Sequence, residues 1–198
     1  MNKKKLYFVF GGEACGNHLA TNLLVWAGIK KGTEVEDIIK PIEATEKDLP
    51  IVYRRSFPHG RVWNKIDDFS AVVKLVKTNS ECPAENEIMV IVPIRSWDSA
   101  INSSLKRGHS GNKNQAIYKL KRAYQDIFWE ITKHKLDYFI FSFDEATRNA
   151  EHYLRHFYEM AGIEITNEKI KEISKRVTNE NDKFKQKDYK LNRPTDNY

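Results

Sequence analysis

Short apolar runs alternate with amphipathic helical patterns along the chain, and this alternation constrains the fold more than any other feature. The runs are "LYFVF" at 6–10, "EIMVIVPI" at 87–94 and "DYFIFSF" at 137–143. A short, nearly continuous apolar run is typical of a strand that is covered on both faces. We therefore predict an α/β domain, a three-layer αβα sandwich with a mainly parallel central sheet.

Between the predicted strands, the apolar residues have helical spacing or the segment carries residues that begin or end helices. The predicted helices are 16–27, 67–78, 97–107, 115–134, 147–162 and 166–177. Gly28 and Gly162 are predicted to end two of them, and Thr166 is predicted to cap a third. The segment 50–60 opens as a strand and ends as a loop, whereas 30–48 is charged and unpatterned, with a short helix predicted within it. Since no linker or repeat interrupts this order, we predict one domain over 1–178 and a polar tail over 179–198.

The composition indicates a folded protein of a reducing compartment. Of the 198 residues, 40% are hydrophobic, and no apolar stretch is long enough to span a bilayer. The basic start is followed by an apolar run that is shorter than a signal-peptide core, so we interpret it as the first strand. Cys15 and Cys82 form no disulfide or metal-ligand pattern. We expect a cytoplasmic protein with no metal site.

The net charge of +6 favours an anionic partner only weakly. Much of the excess lies in the lysine-rich stretch 169–193, which we interpret as a solvated helix and tail. The basic helix over 119–135 carries Tyr124 and Phe128 four residues apart, which is the spacing of a core face. We therefore do not predict a nucleic-acid surface.

The loop after the first predicted strand has the glycine spacing of a phosphate-binding P-loop. Gly11 and Gly16 reproduce G-x-x-x-x-G, and a predicted helix follows, whose first N–H groups attract anions. However, Asn17 stands where the P-loop has its lysine, and His18 stands where the magnesium-binding Ser or Thr belongs. The pattern alone allows a phosphate site or a plain strand-to-helix turn.

Cys15 lies within this loop, at the start of a predicted helix, where a thiolate would be stabilised. A phosphatase-type cysteine needs an arginine about six residues later in the loop, where this chain has Thr21. We interpret Cys15 as a small buried loop residue.

A second candidate loop follows the strand at 87–94. Arg95 leaves the strand end, and Ser103 lies eight residues later in the next predicted helix. A guanidinium and a hydroxyl placed in this way can bind one phosphate, the first through a fork of donors. The alternative is a surface arginine and an ordinary helix serine.

Taken in order, these segments resemble the PAPS-dependent sulfotransferase family. In that family an Arg at the end of a central strand and a Ser eight residues later bind the 3′-phosphate of the donor. Arg95 and Ser103 have the same spacing and the same position after a strand. "ACGNH" at 14–18 falls on the family's 5′-phosphosulfate loop. "IVYRRSFPHG" at 51–60 is similar to the strand that ends in a Lys-Thr-His-x-Pro type sequence, with Arg54 at the lysine position. The segment 138–173 is similar to the family's C-terminal motif.

The resemblance implies a sulfotransferase that binds PAPS, or PAP as product, without a metal, and that acts on an unknown hydroxyl or amine acceptor. The implied catalytic residues are His59 as base, Arg54 at the leaving group, and His18. The implied donor-binding residues are Gly12, Glu13, Ala14, Cys15, Gly16, Asn17, His18, Arg95 and Ser103. Glu13 is a further candidate base.

Several residues depart from the family pattern. Ala14 replaces a basic residue of the phosphosulfate loop, and Ser56 stands where many members have their base. Two alternatives therefore stay open: a divergent P-loop kinase or NTPase, and a non-catalytic nucleotide-binding relative. The missing lysine and metal ligand oppose the first, and Ala14 favours the second.

Overall fold

The computed structural model describes residues 5–32, 50–57 and 87–189. The strands are β1 (Lys5–Gly12), β2 (Lys30–Lys31), β3 (Ile51–Phe57), β4 (Glu87–Ile94) and β5 (Asp137–Ser142). The helices are α1 (Asn17–Trp26), α2 (Trp97–Lys106), α3 (Lys113–His134), α4 (Phe143–Arg148), α5 (Ala150–Ala161) and α6 (Asn167–Tyr189). No helix within the described ranges is long and apolar enough to cross a membrane.

The five strands form one parallel sheet in the order β2-β3-β1-β4-β5. β1 is central and pairs with β3 from Leu6 opposite Ile51 onward, and with β4 on its other side. The predicted α/β class with a parallel sheet is therefore confirmed. After β3 the chain crosses β1 to reach β4, so the loops at the carboxyl ends of β1 and β4 meet where the strand order reverses. In such sheets this is where ligands bind.

Both faces of the sheet are covered, which explains why β1 is apolar at nearly every position. Tyr7 and Val9 pack on the side of α1, α5 and α6. Leu6, Phe8 and Phe10 pack on the opposite side, against α3. A strand buried on both faces has no solvated position for a polar side chain.

Three predicted helix ends are confirmed in their local geometry. Gly28 and Gly162 follow α1 and α5 with φ values of 98° and 69°, where an L side chain would be strained. The Thr166 hydroxyl accepts a hydrogen bond from the Lys169 N–H at the start of α6.

The structure also corrects several predicted boundaries. The helix predicted over 147–162 is two helices, α4 and α5, and Asn149 separates them with φ −135° and ψ 61°. Phe143, placed in a strand by its apolar neighbours, is the first residue of α4 because Ser142 caps that helix through the Glu145 N–H. α6 continues past 178 to Tyr189, and the two-residue strand β2 lies in a segment that showed no strand pattern.

Some sequence expectations fall on residues that the structure does not describe. They include most of the segment 30–48 with its predicted short helix, the helix over 67–78, Cys82 and the proposed base His59. They stay predictions.

Leu154→Ala is expected to lower the free energy of unfolding by about 2–5 kcal/mol, because Leu154 is fully buried between α5 and the sheet. Met160 lies on the same helix and is 57% exposed, so Met160→Ala should change the free energy of unfolding by less than about 0.5 kcal/mol. Urea denaturation of both variants measures the difference. Equal effects would contradict this assignment of the helix faces.

Candidate functional site

The loop between β1 and α1 turns sharply and leads directly into the helix. Ala14 and Gly16 both have positive φ, at 64° and 103°, and the Cys15 N–H donates to the Gly12 carbonyl. Gly16 is the N-cap of α1 and offers no side-chain oxygen to the first amides of the helix. Such a turn presents backbone N–H groups and the positive end of the helix dipole to an anion.

Gly16 is required by its positive φ and also by its close contact with Phe143. A Cβ on Gly16 would lie 2.7 Å from Cδ2 of that ring. Arg95, which follows β4, contacts the same ring, because its guanidinium lies 4.5 Å from the centre of Phe143. One aromatic side chain therefore packs against the β1–α1 loop and against the residue that follows β4.

Asn17, at the P-loop lysine position, turns its side chain inward. Its Nδ2 donates to the carbonyls of Gly11 and Gly12 at 3.3 and 3.2 Å and to the Ser56 hydroxyl at 2.9 Å. Carbonyl oxygens can only accept, which fixes the orientation of the amide. The side chain is 4% exposed. Through these hydrogen bonds it joins α1 to the ends of β1 and β3. The side chain of Ser56, at the position of the family's base, belongs to this same contact.

His18 and Arg54 are brought together although 36 residues separate them. The guanidinium Nη1 lies 2.5 Å from Nδ1 of His18, which is exposed, and Arg54 is half-buried near the end of β3. Arginine can only donate, so in this hydrogen bond Nδ1 of His18 is the acceptor. The contact therefore orients the His18 ring beside a permanent cation.

Arg95 and Ser103 lie at the two ends of a short segment. Arg95 follows β4 directly, and Ser103 is half-buried on the second turn of α2. The start of α2 is fixed by Asp144, whose carboxylate accepts from the Ser96 N–H at 2.6 Å. Asp144, in the first turn of α4, thus ties the start of α2 to α4.

Cys15 is buried and packs against the partly buried Tyr124. Burial raises the pKa of the Cys15 thiol to about 11, and burial likewise raises the pKa of Tyr124 far above its ordinary value. The Tyr124 hydroxyl donates to the Pro93 carbonyl at 2.8 Å. Cys15 is therefore a buried loop residue, as the sequence indicated.

An open cavity of about 380 Å³ lies beside Arg95 at the carboxyl ends of β4 and β5. Its apolar walls include Ile94, Trp97 and Ile140, and Asp144 also lines it. Trp97 and Ile140 are 47% and 48% exposed. The cavity can accommodate an apolar or aromatic group next to a cation.

The sequence did not single out Phe143 or His109 as residues of this region. Phe143 had a usable signal, because it directly follows a buried strand and thus lies at the carboxyl edge of the sheet. His109 lies in the turn between α2 and α3, and no local pattern relates it to the loop after β1. His59 is outside the described residues, and those residues contain no cluster of ligands that could hold a metal ion.

Comparison with known proteins supports the fold. No family model and no curated protein matches the sequence. Among solved structures, mouse sulfotransferase SULT7A1 complexed with PAP is similar to this chain with a TM-score of 0.59 at 13% identity, over 98% of this chain and 69% of that chain. The chain thus has the sulfotransferase fold, as the resemblance implied.

Gly16→Ala is expected to destabilise the protein more than Gly108→Ala. Both glycines have positive φ, and that conformation costs an L residue about 1–2 kcal/mol. Only at Gly16 would the new methyl group also collide with Phe143, at a further cost of about 1–3 kcal/mol. Thermal and urea unfolding compare the two variants, and equal destabilisation would rule out the tight contact with Phe143.

Cys15 should resist alkylation in the folded protein. In a Cys82→Ser background at pH 8, a pKa of about 11 leaves on the order of one thiol in a thousand ionised. We expect little reaction with iodoacetamide until denaturant is added, measured as adduct mass over time. Rapid labelling of the native protein would mean that the thiol is accessible and activated.

Proposed function

We propose that the chain is a sulfotransferase-like enzyme that transfers a sulfuryl group from PAPS to a hydroxyl or amine acceptor. The observation that carries the proposal is the shared contact on Phe143. It joins the anion-binding turn at Gly16 to Arg95, the two segments that the family uses for the two ends of its donor. The structural neighbour was solved with PAP, which is consistent with this proposal.

The residues present suit a doubly anionic nucleotide. The start of α1 carries backbone amides without a side-chain cap, and a guanidinium lies at the end of β4. In this proposal, the backbone N–H groups over 12–18 bind the 5′ end of the nucleotide, and Arg95 with Ser103 binds the 3′-phosphate. Asn17 contributes its backbone amide and the shape of the loop, since its side chain faces inward.

PAPS, when bound, supplies an activated sulfuryl group, so negative charge develops on the leaving phosphate oxygen. We propose that Arg54 stabilises that charge, because it is a permanent cation next to the loop. His18 beside it would offer its Nε2–H as a hydrogen-bond donor, because its Nδ1 accepts from Arg54. His59 remains our proposed base for the acceptor proton.

The kinase or NTPase alternative is weakened by the position of Asn17. A P-loop kinase needs a lysine at this position to reach the phosphates, whereas Asn17 binds the carbonyls of its own loop. The non-catalytic alternative has one supporting feature, the apolar side chain of Ala14. Binding of PAP by a protein that transfers no sulfuryl group to a panel of phenols, alcohols and amines would favour it.

The decisive experiment is calorimetric titration with adenosine 3′,5′-bisphosphate without metal. We expect the wild-type protein to bind, and Arg95→Ala to lose about tenfold or more in affinity, because a charge-assisted contact contributes about 1.5–3 kcal/mol. Arg122→Ala, which removes an arginine paired with Asp126 on α3, is the control and should bind as the wild type does.

The opposite result is equally informative. If the wild type does not bind the bisphosphate, the assignment of the donor site is wrong. If it binds ATP with magnesium instead, the P-loop kinase becomes the better proposal.

A further inference from the structure

Buried polar groups collect where the β1–α1 loop meets the turn between α2 and α3. Six polar or charged side chains are buried within the described ranges. Four of them are in this junction: Glu13, Ser104, Ser110 and Lys119. Burial of charged and polar groups is costly unless they are paired, so a concentration of them indicates a specific arrangement.

The turn at this junction, residues 107–112, is held from both neighbouring helices. From α2, the Ser104 carbonyl accepts from the His109 N–H at 2.9 Å, and the hydroxyls of Ser104 and Ser110 lie 3.0 Å apart. From α3, the Lys119 ammonium donates to the His109 carbonyl. The backbone of His109 is therefore fixed relative to α2.

The side chain of His109 contacts the loop after β1. Its Nδ1 lies 3.6 Å from Oε2 of Glu13, whose side chain is 8% exposed, whereas His109 is 34% exposed. Glu13 belongs to the anion-binding turn, and Ser104 is the neighbour of Ser103 on α2. This contact thus links the segment proposed for the 5′ end of the donor to the segment proposed for its 3′-phosphate.

We propose that Glu13 and His109 are positioning residues that set the separation between the β1–α1 loop and α2. This inference rests on the proposed function, since it concerns how one nucleotide contacts both segments. It also gives Glu13 a role other than that of a base, because its carboxylate packs against His109. Two segments held at the right separation bind a ligand that spans them more tightly than two loosely related segments do.

If these two residues set the separation, their loss should change the affinity for two related ligands differently. Adenosine 3′,5′-bisphosphate needs both segments, whereas adenosine 5′-monophosphate has no 3′-phosphate and needs only the loop. Loss of the Glu13–His109 contact should weaken the first ligand and spare the second. A general loss of structure would weaken both.

The test measures both ligands by calorimetry with wild type, His109→Leu, Glu13→Gln and the double variant. We expect bisphosphate affinity to fall about five- to tenfold in each single variant, with little further loss in the double variant, because the two changes remove one contact. Affinity for the monophosphate should stay within about twofold. The control is His134→Leu, which removes a histidine–glutamate contact of 3.1 Å within α3 and should change the affinity for neither ligand.

Two results would overturn the inference. One is wild-type affinity for the bisphosphate in both single variants, and the other is an equal loss for both ligands. Because the Glu13→Gln side chain keeps its shape, it serves as the second variant if His109→Leu unfolds. Failure of the wild type to bind the bisphosphate would instead overturn the proposed function itself, and the inference with it.

Discussion

The parallel pairing of β1 with both β3 and β4 is the constraint on which the rest of the structure depends. It makes β1 the centre of the sheet and forces its side chains to be apolar on both faces. It also brings the loop after β1 and Arg95 to one edge, since the carboxyl ends of parallel strands lie together. Without this pairing the two segments, about 80 residues apart in sequence, would have no reason to meet.

The candidate site relies on backbone groups more than on side chains. Positive φ at Ala14 and Gly16 shapes the loop, and the side chain that replaces the P-loop lysine is used to hold that shape. Sulfuryl transfer needs no magnesium, so loss of a metal ligand is tolerable in the proposed chemistry. Two side-chain cations flank this loop: Arg54 lies in β3 and Arg95 directly follows β4, the two strands that pair with β1.

Much of the fold followed from local patterns. Continuous apolar runs predicted β1, β4 and β5, and glycines marked the ends of α1 and α5. The elements that the sequence did not predict correctly each have a physical explanation. β2 pairs over only two residues and its lysines are exposed, so no apolar pattern accompanies it. The division at Asn149 interrupts an apolar spacing that is otherwise continuous between α4 and α5.

The sequence by itself determined the class of fold, and it made the loop after β1 and Arg95 candidates for the site, because these depend on residue type and spacing along the chain. Only the tertiary structure decided that Asn17 faces inward, that His18 meets Arg54, and that Glu13 meets His109. These contacts join residues from different elements. Their distances depend on how strands and helices pack, which a linear pattern of residues does not contain.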